Sequence, residues 1–182
     1  NKIIKDYYSI KINKKIPVFA GFGGGTSNAA TLLKHFSKKK LDKKILNKIV
    51  KEVGSDLILF FHDQGYQKNL KLVIKLKKKY KFYFLLVFPK IKSSTKTVYY
   101  KVKNYTKFKM PINKNLLLKS NFISLLVKSK NDLQSIVEKK HKILNKLLLN
   151  ISKIKGCHFS RMTGTGSACF GLFIDKKSSI VA

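Results

Sequence analysis

Between Pro17 and Asn28 the chain reads Pro17-Val18-Phe19-Ala20-Gly21-Phe22-Gly23-Gly24-Gly25-Thr26-Ser27-Asn28. Glycine adds nothing to packing and costs backbone entropy. A cluster of four is therefore useful only where the chain turns sharply or lets another group approach closely. Ala29, Ala30, Leu32, Leu33 and Phe36 follow at helical spacing, so the loop opens onto a helix N-terminus. Unpaired N–H groups and the positive end of the helix dipole make such a place a seat for phosphate oxygens. The other reading is a tight strand-to-helix turn with Thr26 or Ser27 as an ordinary N-cap. The loop is not a Walker A loop, because no lysine follows its last glycine. It is not a dinucleotide fingerprint either, because Thr26 stands where the third glycine would fall.

The surrounding pattern mixes strands and helices. Tyr8, Ile10 and Ile12 alternate with polar residues and predict a strand closed by Pro17. Asp42 can cap a helix whose apolar face is Ile45, Leu46, Ile49, Val50 and Val53, ended by Gly54. Ser55-Asp56 opens a short apolar segment, Leu57 to Phe61. Leu70, Leu72, Ile74 and Leu76 alternate like an exposed strand, and Phe82 to Phe88 reads as a buried one stopped by Pro89. Residues 104–121 carry weak signals. Asn131-Asp132 can cap one long helix with the stripe Leu133, Ile136, Val137, Leu144, Leu147, Leu148 and Ile151. A second glycine-rich turn, Thr163-Gly164-Thr165-Gly166-Ser167, leads into a strand from Ala168 to Ile174. The order suits a two-layer α+β fold, with the lysine run Lys77 to Lys79 as candidate junction between domains at 1–78 and 79–182.

Charge invites a nucleic-acid reading, since the formal net charge is +32. The kind of base argues against it. Of the 40 lysines and arginines, Arg161 alone is arginine, and the lysines are spread through every segment. Planar, bidentate arginine is what nucleic-acid readers favour. Cys157 and Cys169 form no metal-ligand pattern and read as reduced thiols of a cytoplasmic protein. His35, His62, His141 and His158 show no grouping. No apolar run is long enough to span a bilayer, so no membrane is expected.

Several segments together resemble the GHMP kinase family. Pro17 to Ala30 is similar to its signature P-x-x-x-G-L-G-G-G-S-S-N-A-A. The Asn28-Ala29-Ala30 ending, Gly54-Ser55-Asp56, Asn131-Asp132-Leu133 and Ser160-Arg161-Met162-Thr163-Gly164-Thr165-Gly166 resemble the branch that acts on a cytidine diphosphate-linked methylerythritol. The matches fall in the family's order from Pro17 to Phe170. There are departures. Ile58 stands where that branch has proline, Gln67-Lys68-Asn69 replaces a glycine-rich stretch, and the family's lysine-bearing N-terminal strand has no counterpart. The chain starts at Asn1 without a methionine and is read as an N-terminally truncated piece.

The resemblance implies a ribosomal-protein-like N-terminal domain, incomplete here, and a ferredoxin-like C-terminal domain. It implies ATP-dependent phosphorylation of a small-molecule hydroxyl. Pro17, Val18, Phe19, Ala20, Gly21, Phe22, Gly23, Gly24, Gly25, Thr26 and Ser27 would cradle ATP, with Thr26 or Ser27 offering an oxygen to Mg²⁺. Asp56 would be the catalytic base, its other reading being an N-cap. Alternatives are another GHMP kinase, acting on mevalonate, homoserine or a sugar, and a basic RNA-binding module.

Overall fold

The computed structural model describes residues 7–37, 41–70, 72–76, 78–106 and 118–182. Most of the unpatterned stretch 104–121 and Lys77 of the lysine run lie outside the described residues. The chain forms two compact units. One comprises Asn1–Ile16 and Gly23–Lys79, the other Pro17–Phe22 and Tyr80–Ala182.

The first unit is built on helices α1 (Gly24–Phe36) and α2 (Lys43–Val53), a 3₁₀ helix (Ser55–Phe61), and a hairpin of β1 (Gly65–Asn69) and β2 (Leu72–Lys75). Asp42 caps α2, its carboxylate accepting from the Lys44 amide at 3.2 Å, and Gly54 closes it at φ 133°. The core is Ala30, Val50, Leu57 and Ile58, flanked by Ala29, Leu33, Leu46 and Phe60. Ala29, Ala30 and Leu33 are the α1 side chains in this cluster, and the small Ala30 is itself buried within it. The strand expected over Tyr8 to Ile12 does not form, and that segment is exposed without regular secondary structure. Alternation supplies a face, but a strand also needs a hydrogen-bonding neighbour, and β1 and β2 pair with each other. The alternating stretch from Leu70 holds β2. Its partner β1 has little apolar alternation to announce it.

The second unit has a three-stranded antiparallel sheet in the order β3 (Tyr83–Val87), β5 (Cys169–Phe173), β4 (Cys157–Met162). Against one face lies α6 (Lys142–Lys153). Its Leu144, Leu148 and Ile151 close the core over Met162 and Cys169, with Leu85 and Val87 of β3. A Cβ at Gly171 would stand 2.6 Å from Ile151 Cγ2, so this approach of α6 to β5 depends on glycine. The single long helix expected after Asn131 is two helices. The first, α5 (Gln134–Lys140), is broken from α6 at His141, which has φ −131° and ψ 80°. The apolar stripe lapses there, because Lys139, Lys140 and His141 separate Val137 from Leu144. The other helices are α3 (Thr95–Tyr100), α4 (Lys119–Lys128) and α7 (Lys176–Val181). Strand β3, expected to be buried, is half-buried on one face, and Phe84 and Leu86 on the other face are 49% and 59% exposed. Near that face, Phe122 of α4 stacks on Tyr80 and Phe82.

Candidate functional site

In the first unit, α1 begins at Gly24 with Gly23 as its N-cap, in the left-handed region at φ 65°. The other reading, a cap by Thr26 or Ser27, is therefore not what the chain does, since both lie inside the first turn. The first ladder bond runs from the Ser27 amide to the Gly23 carbonyl at 2.8 Å. The amides of Gly24, Gly25 and Thr26 take no backbone partner among the described residues. A Cβ at Gly23 would meet the Phe60 ring at 3.1 Å and one at Gly24 would meet Ile16 at 3.3 Å. At Gly25 it would meet nothing within 4 Å. The open side of the turn lies over Gly25, where free donors and the helix dipole favour an anion.

Asp56 sits in the first turn of the 3₁₀ helix, exposed, and makes no capping hydrogen bond. The N-cap reading of this residue is set aside, because Gly54 occupies the cap position. The 3₁₀ helix is held against α1 by Lys34, whose ammonium donates to the Phe60 carbonyl and lies 5.3 Å from the centre of the Phe61 ring. The other described acids mostly have structural work. Asp42 and Asp175 cap helices, Asp63 pairs with Lys79, Asp132 accepts from the Thr106 amide and hydroxyl, and Glu138 accepts from Gln134. Asp132 is thus not the helix cap its position suggested. Glu52 lies on the exposed side of α2, which leaves Asp56 as the carboxylate placed on an element packed against the glycine-led helix.

The second unit holds the first half of the loop, Pro17–Phe22, and the second glycine turn. The turn joins β4 to β5, so it is a strand-to-strand connection that leads into the expected strand. The two segments are bonded backbone to backbone. Ser167 N donates to Phe19 O at 3.1 Å, Ala168 N to Ala20 O at 3.0 Å, and Thr163 Oγ1 to Gly21 O at 3.1 Å. A Cβ at Gly164 would come within 2.9 Å of the Gly21 carbonyl oxygen. On the turn's other side, Ser93 Oγ donates to Thr165 O at 2.6 Å, and Ser167, fully buried, donates to Ile91 O.

Two residues that the sequence singled out on other grounds anchor this turn. Asn131 Nδ2 donates to both Met162 O and Gly164 O at 2.9 Å, and its Oδ1 accepts from Leu133 N at 3.0 Å. Arg161 donates to Leu126 O and Ser129 O at 2.9 and 2.6 Å, at the C-terminal end of α4, with its guanidinium 4.4 Å from the centre of the Phe159 ring. Burial holds its pKa below the ordinary arginine value. Its uniqueness in a lysine-rich chain was the signal. Beside the turn an open groove of about 390 Å³ is lined by Tyr99, Tyr105, Lys130, Asn131 and Arg161, among others. The thiols are inert by environment: burial raises Cys157, and burial followed by the nearby Glu138 pushes Cys169 up to about 11. No cluster of metal-ligating side chains occurs among the described residues, and none of their helices is long and apolar enough to cross a membrane.

Residues 2–63, which contain both the glycine-led helix start and Asp56, match the family described as GHMP kinases N terminal domain. The chain carries a GHMP kinase N-terminal domain. Beyond that domain, the chain is 34% identical over 180 residues to the 4-diphosphocytidyl-2-C-methyl-D-erythritol kinase of Pelagibacter ubique, covering 94% of this chain and 61% of that protein. It is 36% identical over 177 residues to the enzyme of the same name from Buchnera aphidicola, covering 93% and 56%. A crystal structure of 4-(cytidine 5'-diphospho)-2C-methyl-D-erythritol kinase superposes with a TM-score of 0.64 at 22% identity, covering 91% of this chain and 61% of that one. That likeness speaks for the α+β fold. The chain thus spans about three fifths of the length of the curated relatives it matches.

Proposed function

We propose that this chain is part of a kinase that transfers the γ-phosphoryl group of ATP to the 2-hydroxyl of 4-diphosphocytidyl-2-C-methyl-D-erythritol, a step toward isoprenoid precursors. On this reading residues 1–78 belong to the ATP-binding domain and 79–182 form the C-terminal domain of a cytoplasmic enzyme. The observation that carries it is the start of α1, where the amides of Gly24, Gly25 and Thr26 take no backbone partner among the described residues and the space over Gly25 is open, on a helix packed against the element bearing Asp56. The loop Pro17 to Ser27 would hold phosphate oxygens by backbone donors. Asp56 would take the proton of the acceptor hydroxyl as that oxygen bonds to phosphorus. Bound ATP supplies the phosphoryl group, and Mg²⁺ would offset its charge, with the Thr26 and Ser27 hydroxyls as hard oxygen donors. The relatives' shared name favours the cytidyl substrate over mevalonate, homoserine or a sugar.

The test is ADP release by the full-length protein with each candidate acceptor, together with Asp56→Ala. Turnover of the cytidyl compound, abolished in Asp56→Ala with ATP binding retained, is the expected result. Turnover of mevalonate in its place refutes the substrate. Substantial residual rate in Asp56→Ala removes that residue from its role.

A further inference from the structure

We infer that Asn131 is a positioning residue for the nucleotide loop, acting through the turn between β4 and β5. This rests on the proposed role of Pro17 to Ser27 in holding ATP. The orientation of the Asn131 amide is fixed by its partners. Two carbonyl oxygens, Met162 O and Gly164 O, demand the NH₂ group, and the Leu133 amide demands the oxygen. The two carbonyls belong to the residues on either side of Thr163, so one side chain fixes the peptide planes 162–163 and 164–165.

Thr163 is the hub of the turn. Its amide donates to Ala168 O at 2.9 Å, its carbonyl accepts from Gly166 N at 2.9 Å, and its hydroxyl donates to Gly21 O. Gly164, at φ 51°, faces the same Gly21 carbonyl. The set of bonds therefore runs from Asn131, at the entry to α5, through the turn to Gly21 in the loop. The first half of that loop gains its shape from a side chain 110 residues away in sequence. Asn131 touches no substrate atom in this scheme and acts by setting where the Gly21 carbonyl points.

Asn131→Asp is the sharpest variant. It keeps the oxygen that receives the Leu133 amide and replaces the two-donor NH₂ with an oxygen facing two carbonyls. In the full-length protein, ATP affinity measured by calorimetry should fall about tenfold, the size of one lost hydrogen bond. The KM for the phosphoryl acceptor should change less than about twofold. A variant that only loosened the fold would weaken both substrates together. If Asn131→Asp fails to fold, Thr163→Val tests the next bond, since it removes the hydroxyl on Gly21 O and keeps the branched shape. Unchanged ATP affinity in either folded variant, or equal weakening of both substrates, overturns the inference. Wild-type protein that binds no ATP overturns both it and the nucleotide reading.

Discussion

Gly21 lies so close to Thr163 that a Cβ on residue 21 would stand 2.3 Å from the Thr163 carbonyl oxygen. Gly21 also adopts φ 77°, where a side chain is strained regardless of space. Two independent penalties meet at one glycine, and the opposing atoms are backbone. Gly21→Ala should therefore cost at least about 2 kcal/mol of stability and should weaken ATP binding by pushing the loop off the turn. Urea unfolding and nucleotide titration measure the two effects. A Gly21→Ala protein as stable as wild type would mean that the turn and the loop are not packed in this way.

Gly25 is the opposite case. Its added Cβ would meet nothing within 4 Å, and it lies in the first turn of α1. On stability grounds Gly25→Ala should be neutral or gain up to about 1 kcal/mol, since alanine is the better helix former. If a phosphate occupies the open space, the methyl group competes with it. The expected pair of results is an unchanged or raised unfolding midpoint and a nucleotide affinity lowered severalfold. Unchanged affinity would argue that no phosphate contacts the Gly25 amide.

The glycine loop, the helix after it and the α2 cap at Asp42 were legible in the sequence, because each is specified by residues within one or two turns of each other. The strand β4 was not. Its residues Cys157, His158, Phe159, Ser160, Arg161 and Met162 share no apolar alternation, and it becomes a strand through pairing with β5. The break at His141 was visible only as a lapse in the apolar stripe. Asn131 and Ser93 were beyond reach for another reason: their partners, Gly164 and Thr165, lie 33 and 72 residues away and become neighbours only in the fold. The segment around Ile10 shows the converse, an apolar alternation that pairs with no strand among the described residues.

Arg161 offers a test of why one arginine sits among so many lysines. One terminal nitrogen of its guanidinium donates to two carbonyls at the end of α4 while the planar group lies 4.4 Å from the centre of the Phe159 ring, an arrangement that a compact lysine ammonium does not reproduce. Arg161→Lys should therefore destabilise the protein by about 1–2 kcal/mol, within the range for hydrogen bonds made by charged groups. Net charge stays the same, so a change in urea midpoint isolates geometry. An unaltered midpoint would make the residue replaceable and its uniqueness incidental.

His62 ties stability to pH. It follows the 3₁₀ helix, and its Nδ1 is buried with no hydrogen-bond partner among the described residues. Burial first, then the positive charges of Lys75 and Lys34, hold its pKa below 6.5, against a smaller opposing pull from Asp63. The unfolded chain therefore binds a proton that the folded chain refuses, from the depressed folded pKa up to about 6.5. In that window stability rises with pH, with a slope of at most about 1.4 kcal/mol per pH unit for one proton. Acidification from neutral pH should lower the urea midpoint, and His62→Gln should flatten that part of the profile. Asp63 does not confuse the measurement. Its pKa is lowered from 3.8, chiefly by the Lys79 hydrogen bond, so the stability it adds is lost only at more acidic pH. If the His62→Gln profile keeps the wild-type slope between about pH 5 and 6.5, the proton responsible belongs to another group.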